Sequence, residues 1–221
     1  MFAVGMTNSA TIIRSVQSGW QSPQAFKTPS DVLATEFQTP HTVALGLRNA
    51  SIHIWDIRTQ AGVARLRHGG SVTGIKQGHD FYSLIVGGLC NSMAHYDLRM
   101  IRDDVPSMDK RRGISKTKRR RPKTWSLPVS KPLFNFDYGN ESRTYSGLDI
   151  NKDHGLVAAA QDDGSIGMYL METGEKLAWE GDLKPGIRPS SIAGCIRFFT
   201  DRRSEIGLMA SRGGQIEEYL W

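Results

Sequence analysis

The segment VALGLRNASIHIWDIR, residues 43–58, is matched 41 positions later by LIVGGLCNSMAHYDLR, residues 84–99. The two segments place the same kinds of side chain at the same steps: Gly46 with Gly87, Ser51 with Ser92, Trp55 with Tyr96, Asp56 with Asp97, and Arg58 with Arg99. FAVGMTNSATII (2–13) repeats the start of the pattern one step earlier, and LVAAAQDDGSIGMY (156–169) and LMASRGGQIEEY (208–219) repeat it more loosely. Self-similarity at a period of this length indicates a tandem-repeat architecture.

Each copy has the pattern of antiparallel β-structure. VALGL is a short apolar run that suits a buried strand, IHIW alternates as a strand does, and Asn49 to Ser51 supplies turn chemistry between them. We predict further strands at 31–37, 63–66, 71–75, 145–150 and 191–198. No segment of helical period competes with them, so the sequence predicts an all-β fold without long helices.

The details of the repeat resemble those of WD-repeat β-propellers. Trp55-Asp56 closes one unit, LRHGGSVTGI (66–75) is similar to the link in which a histidine precedes the next blade, and QDDGSI (161–166) is similar to the turn before a third strand. Such propellers usually close with seven blades. The 221 residues, less the 29 of 102–130, leave 192, which is enough for about 4.7 units of 41 residues. We therefore expect residues 1–221 to form a partial propeller of four to five blades.

The positive charge is concentrated in one segment. The chain has 28 basic and 22 acidic residues, a net charge of +6, and nine of the cations lie within KRRGISKTKRRRPK (110–123). Without that segment, 19 basic residues face 22 acidic ones, so the remaining chain carries a net charge of −3. A uniformly basic face for nucleic acid is not what this distribution describes.

Residues 102–130 are polar and basic, so we predict a disordered insertion within the propeller. Three interpretations stay open for it: a solvated linker, a nuclear-localisation signal, or an arm that contacts nucleic-acid phosphates. The cations of the last two are Lys116, Lys118, Arg119, Arg120, Arg121 and Lys123. The expected location is accordingly the nucleus, the cytoplasm or both.

Two successive units end in the pattern aromatic-Asp-x-Arg, and this doubled pattern resembles the WD-repeat substrate receptors of cullin-4 ubiquitin ligases. The whole chain resembles the fourth of the numbered cullin-4-associated factors. The resemblance implies docking onto the ligase's adaptor, damaged-DNA-binding protein one, and recruitment of a target protein that the sequence does not identify. The implied adaptor-binding residues are Trp55, Asp56, Arg58, Tyr96, Asp97 and Arg99.

The sequence lacks the common motifs of enzymes. Its six histidines have no metal-ligand spacing, its two cysteines form no CxxC pair, and the nucleophile elbow, phosphate loop and dinucleotide fingerprint are missing from the sequence. We therefore predict no catalytic residues, no metal, no cofactor and no membrane span. The expected function is a protein-interaction scaffold, most specifically a ligase substrate receptor. The alternative is a nuclear scaffold that contacts RNA or chromatin through its basic insertion.

Overall fold

The computed structural model describes residues 1–16, 19–20, 23–100, 130–142, 146–179, 192–201 and 205–220. Nearly all regular structure in these ranges is β-strand, and a single 3-10 turn spans Leu98–Met100. The strands are β1 Phe2–Met6, β2 Ser9–Ile13, β3 Ser15–Val16, β4 Gly19–Trp20, β5 Gln24–Lys27, β6 Val32–Thr39, β7 Thr42–Leu47, β8 Ser51–Asp56, β9 Ala61–Arg67, β10 Val72–Gln77, β11 Ser83–Gly88, β12 Met93–Asp97, β13 Phe134–Asn135, β14 Leu148–Asn151, β15 Leu156–Ala160, β16 Ile166–Leu170, β17 Lys176–Leu177, β18 Cys195–Thr200, β19 Ile206–Arg212 and β20 Gln215–Leu220.

Within the described ranges these strands form five antiparallel sheets in chain order, together with a two-stranded hairpin, β3–β4. We call the sheets blades 1 to 5: β1-β2-β5, β6 to β9, β10 to β13, β14 to β17, and β18-β19-β20. The predicted all-β fold is confirmed, and the sheets are consistent with blades of a partial β-propeller. Each of the five further strands predicted from the sequence overlaps an observed strand, namely β6, β9, β10, β14 and β18; the last two begin later than predicted.

The hydrophobic core lies between neighbouring blades, in four separate clusters. One example is the cluster between blades 2 and 3, where Ile52 and Leu66 from one sheet pack with Val72 and Leu84 from the next. Similar clusters join blades 1 and 2, blades 3 and 4, and blades 4 and 5. Since blades 2 to 4 bury both faces only through their neighbours, the repeats are stabilised by stacking side by side.

The aromatic residue that ends each repeat belongs to this inter-blade packing. Trp55 packs in the cluster between blades 1 and 2, Tyr96 between blades 2 and 3, and Tyr169 between blades 3 and 4. Tyr219 packs against the cluster between blades 4 and 5. Each aromatic side chain therefore contacts the preceding blade, which explains why the repeat places one at the same step in every unit.

Neighbouring blades are also aligned in height. Gln77 of β10 donates its backbone N–H to Glu36 Oε1 of β6 at 3.3 Å, and these two residues are repeat equivalents 41 positions apart. A Cβ on Gly46 would lie 2.3 Å from Val72 Cγ1, so the sheets approach closely where this glycine stands. Equivalent ends of blades 2 and 3 consequently lie on the same rim of the molecule.

His68 in the link between blades 2 and 3 is buried. Its Nε2 lies 3.1 Å from the carbonyl oxygen of Ser92 and its Nδ1 lies 2.9 Å from the Tyr96 hydroxyl. Since a carbonyl only accepts, Nε2 carries the proton and Nδ1 accepts from the tyrosine O–H. Burial lowers the pKa of His68 to about 4. The histidine is thus a neutral structural element of the link between the two blades.

This arrangement predicts acid sensitivity. The pKa values of His68 and His53 are both lowered by burial from 6.5 to about 4, so the unfolded state binds protons first as the pH falls. Each neutral histidine contributes its full share to the free energy of unfolding above pH 6.5. That contribution is lost as the pH falls towards 4, and the loss reaches about 3 kcal/mol for each histidine. Urea midpoints at pH 7.5 and pH 5 measure this loss, and His68→Gln should make the dependence shallower. Equal midpoints at the two pH values would contradict the prediction.

Residues 102–129 of the predicted insertion lie outside the described residues. Ser130, its last residue, is described and exchanges two hydrogen bonds with the backbone of Arg67, at 2.8 and 3.0 Å. Among the helical residues that the structure describes, none forms a helix long and apolar enough for a membrane span.

Candidate protein-interaction rim

Asp56 stands at the end of β8 and organises the turn that follows. Its Oδ1 accepts hydrogen bonds from the backbone N–H of Arg58 at 2.8 Å and of Thr59 at 3.4 Å. The Arg58 guanidinium folds back onto the same carboxylate, with Nε 3.3 Å from Oδ1 and Nη2 2.9 Å from Oδ2. The aspartate therefore holds both the backbone and the side chain of the arginine two residues later.

The same arrangement recurs at the end of β12. The Arg99 backbone N–H donates to Asp97 Oδ1 at 2.9 Å, and the guanidinium binds the carboxylate through Nε at 2.9 Å and Nη2 at 2.7 Å. Two further contacts exist only here: Arg99 Nη2 lies 3.9 Å from Asp80 Oδ2, and its guanidinium carbon lies 5.4 Å from the centre of the Tyr82 ring.

Electrostatics favours the charged form of every group in these pairs. The side-chain hydrogen bond from Arg58 lowers the pKa of Asp56 to about 2, and the bond from Arg99 lowers the pKa of Asp97. Both arginines have a raised pKa because of the same hydrogen bonds. The arginine side chains remain 62% and 60% exposed. Since a guanidinium has five N–H donors, each keeps donors for a partner's carboxylate or carbonyl.

The motif residues divide into two groups by location. Arg58 and Arg99 reach solvent on the same rim, whereas Tyr96 is 2% exposed and Trp55 packs against Phe26 with ring centres 5.2 Å apart. The buried Tyr96 can therefore act on a partner only by holding the strand end in place, whereas Trp55 is partly exposed. Blades 4 and 5 carry Leu170 and Leu220 where blades 2 and 3 carry the aspartate, so the rim has two such pairs among the described residues.

Three exposed residues beside Arg99 were not predicted from the sequence. Phe81 is 51% exposed, Tyr82 is 43% exposed, and Met100 is 68% exposed. The repeat contains a signal for them, because Phe81-Tyr82 of blade 3 stand at the step where blade 2 has Pro40-His41.

The cations from Lys116 to Lys123 lie outside the described residues, so the structure does not place them relative to this rim. Among the described residues no group of three or more His, Cys, Asp or Glu side chains could hold a metal ion.

Comparison with known proteins supports the repeat assignment over part of the chain. The chain is 33% identical over 103 residues to WD repeat-containing protein 21 of Schizosaccharomyces pombe. That match covers 45% of this chain and 24% of the yeast protein, so the matched region is about a quarter of the relative's length. A scan against protein-family models finds no match.

Two solved structures share the fold. The crystal structure of the computationally designed Ika4 protein matches with a TM-score of 0.58 at 16% identity, covering 87% of this chain and 92% of that one. The computationally designed Ika8 protein matches with a TM-score of 0.59 at 13% identity, covering 99% of this chain and 57% of that one. At these identities the likeness concerns the fold alone.

Proposed function

We propose that this chain is a non-catalytic interaction scaffold that docks onto the adaptor of a cullin-4 ubiquitin ligase, damaged-DNA-binding protein one, and brings a target protein to the ligase. The observation that carries the proposal is the pair of exposed arginines, Arg58 and Arg99, held in the same geometry at equivalent ends of adjacent blades. The similarity to a WD repeat-containing protein supports the coarser role of an interaction scaffold.

The geometry suits docking because both cations are ordered before any partner arrives. Each guanidinium is held by its own aspartate, so little side-chain entropy is lost when a partner binds. Arginine is also the cation best matched to the planar carboxylates and carbonyls of a protein surface. Nuclear location and nucleic-acid contact through Lys116 to Lys123 stay predictions, since those residues lie outside the described part of the chain.

The test is substitution of both arginines. We expect Arg58→Ala with Arg99→Ala to weaken binding to the purified adaptor by roughly 30-fold or more, because central interface arginines are typical hot spots. Equilibrium binding to immobilised damaged-DNA-binding protein one measures this change.

The matched control is Arg48→Ala. Arg48 is 59% exposed and pairs with Asp31 at 3.0 Å, but it follows β7 and so lies at the opposite end of blade 2. We expect this variant to bind the adaptor like the unsubstituted chain. Equal affinity for the double variant and the control, with circular dichroism showing both folded, would overturn the proposal.

A further inference from the structure

The turns before the second strands of blades 2 and 3 share one backbone hydrogen bond to the turn after the third strand. In blade 2 the His41 carbonyl accepts from Ile57 N–H at 2.8 Å, and in blade 3 the Tyr82 carbonyl accepts from Leu98 N–H at 2.8 Å. These pairs are repeat equivalents. Both turns are therefore tied to the aromatic-Asp-x-Arg turn in the same way.

A side-chain oxygen stabilises each of these turns from the inside. Thr39 Oγ1 accepts from the N–H groups of His41 at 3.1 Å and Thr42 at 3.0 Å. Asp80 Oδ1, at the equivalent step of blade 3, accepts from Tyr82 at 2.9 Å and Ser83 at 2.7 Å. Blade 2 forms its capped turn with Pro40-His41 at this step, so the capping hydrogen bonds do not depend on the rings of Phe81 and Tyr82.

Phe81 and Tyr82 nevertheless place two large rings in solvent. Their ring centres are 5.0 Å apart, and the two side chains are 51% and 43% exposed. Met100, 68% exposed, follows Arg99 directly. Single exposed apolar residues are ordinary, but a cluster beside a charged group is characteristic of interaction sites, whose energetic centres are enriched in aromatic residues and arginine.

We infer that Phe81 and Tyr82 form an apolar anchor for the adaptor beside Arg99, and that the surface seated there presents an apolar side chain next to a carboxylate. The inference rests on the proposed function. It implies that blade 3 adds an apolar contact to the adaptor interface and that blade 2 does not. Arg99 lies over the Tyr82 ring at 5.4 Å, so cation and ring offer one continuous surface. Blade 2 has Pro40-His41 at this place and lacks the anchor.

The experiment measures binding to immobilised damaged-DNA-binding protein one. It compares the unsubstituted chain with the double variant that carries both Phe81→Ala and Tyr82→Ala. We expect roughly 30-fold weaker binding, as for a buried aromatic hot spot. Tyr82→Phe retains the ring and should stay within about threefold. Ile216→Ala, which removes a 71% exposed apolar residue from blade 5, should change the affinity by less than about twofold.

The salt dependence of the affinity distinguishes the contribution of the anchor from that of the arginines. Attraction between exposed charges is screened by salt, whereas apolar burial is not. The variant lacking Phe81 and Tyr82 should therefore keep the salt dependence of the unsubstituted chain, while the variant lacking Arg58 and Arg99 should show a weaker one.

The outcomes distinguish the inference from the proposed function. If removal of Phe81 and Tyr82 leaves the affinity within about twofold while loss of Arg58 and Arg99 abolishes binding, the anchor is overturned and the docking proposal stands. If the folded, unsubstituted chain does not bind the adaptor, the docking proposal fails and the anchor fails with it. Circular dichroism of each variant excludes unfolding as the cause.

Discussion

Replacing Asp149 by Ala is expected to lower the free energy of unfolding by about 3–5 kcal/mol, because it breaks a buried ionic network on one side only. Asp149 lies on β14 and is 6% exposed. Its Oδ1 lies 2.9 Å from Lys76 Nζ of β10 and 3.3 Å from Arg197 Nη1 of β18. Its Oδ2 accepts the backbone N–H of Phe198 at 2.9 Å. One carboxylate thus joins the first strands of blades 3, 4 and 5.

The expected loss of unfolding free energy comes mainly from two groups. Without the carboxylate, the Lys76 side chain, 17% exposed, loses its ionic partner, and the Phe198 N–H loses its hydrogen bond to Asp149 Oδ2. Arg197 contributes less, because its side chain is 63% exposed and water can solvate it.

Urea unfolding of the chain and its variants measures the effect. Asp31→Ala is the control, since Asp31 pairs with Arg48 at 3.0 Å on the surface, and its loss should cost no more than about 1 kcal/mol. The assignment is wrong if Asp149→Ala is as mild as this control.

Tyr169→Ala is the second variant with a large expected effect, about 3–5 kcal/mol of unfolding free energy. The Tyr169 side chain is fully buried between blades 3 and 4 and lies edge-on to Phe136 with ring centres 5.5 Å apart. Its hydroxyl donates to the Asp137 carbonyl at 2.6 Å. Truncation opens a cavity in the cluster that joins the two blades, and the surrounding strands can collapse only partly.

Tyr169→Phe separates the ring from the hydroxyl. It keeps the packing and loses one hydrogen bond, so we expect a cost of about 1–2 kcal/mol. Urea midpoints of both variants provide the comparison. Equal losses would show that the hydrogen bond, and not ring packing between the blades, accounts for the effect.

The sequence predicted most of the strands and the pattern that the two arginine turns share. The 41-residue offset aligns residues that share an environment, so Trp55 and Tyr96 share inter-blade packing, and Arg58 and Arg99 share a turn. These features are local or repeated, and a repeat exposes them without knowledge of the fold.

The Asp149 network and the aromatic anchor could not be found in the same way. Asp149 has no counterpart at a fixed offset, and its partners come from strands on either side of it in the structure. The sequence shows that residue 82 is a tyrosine, but its contact with Arg99 depends on the packing of the turn before β11 against the turn after β12.

By itself, the sequence determined the repeated pairs of strands and five further strands, because side-chain alternation and turn chemistry are local properties. The short strands β3, β4, β5 and β17 were not predicted from it. Only the tertiary structure decided which charges meet between blades and which aromatic residues stay in solvent. Those outcomes depend on the stacking of one sheet on the next, which brings together side chains that are distant in the chain.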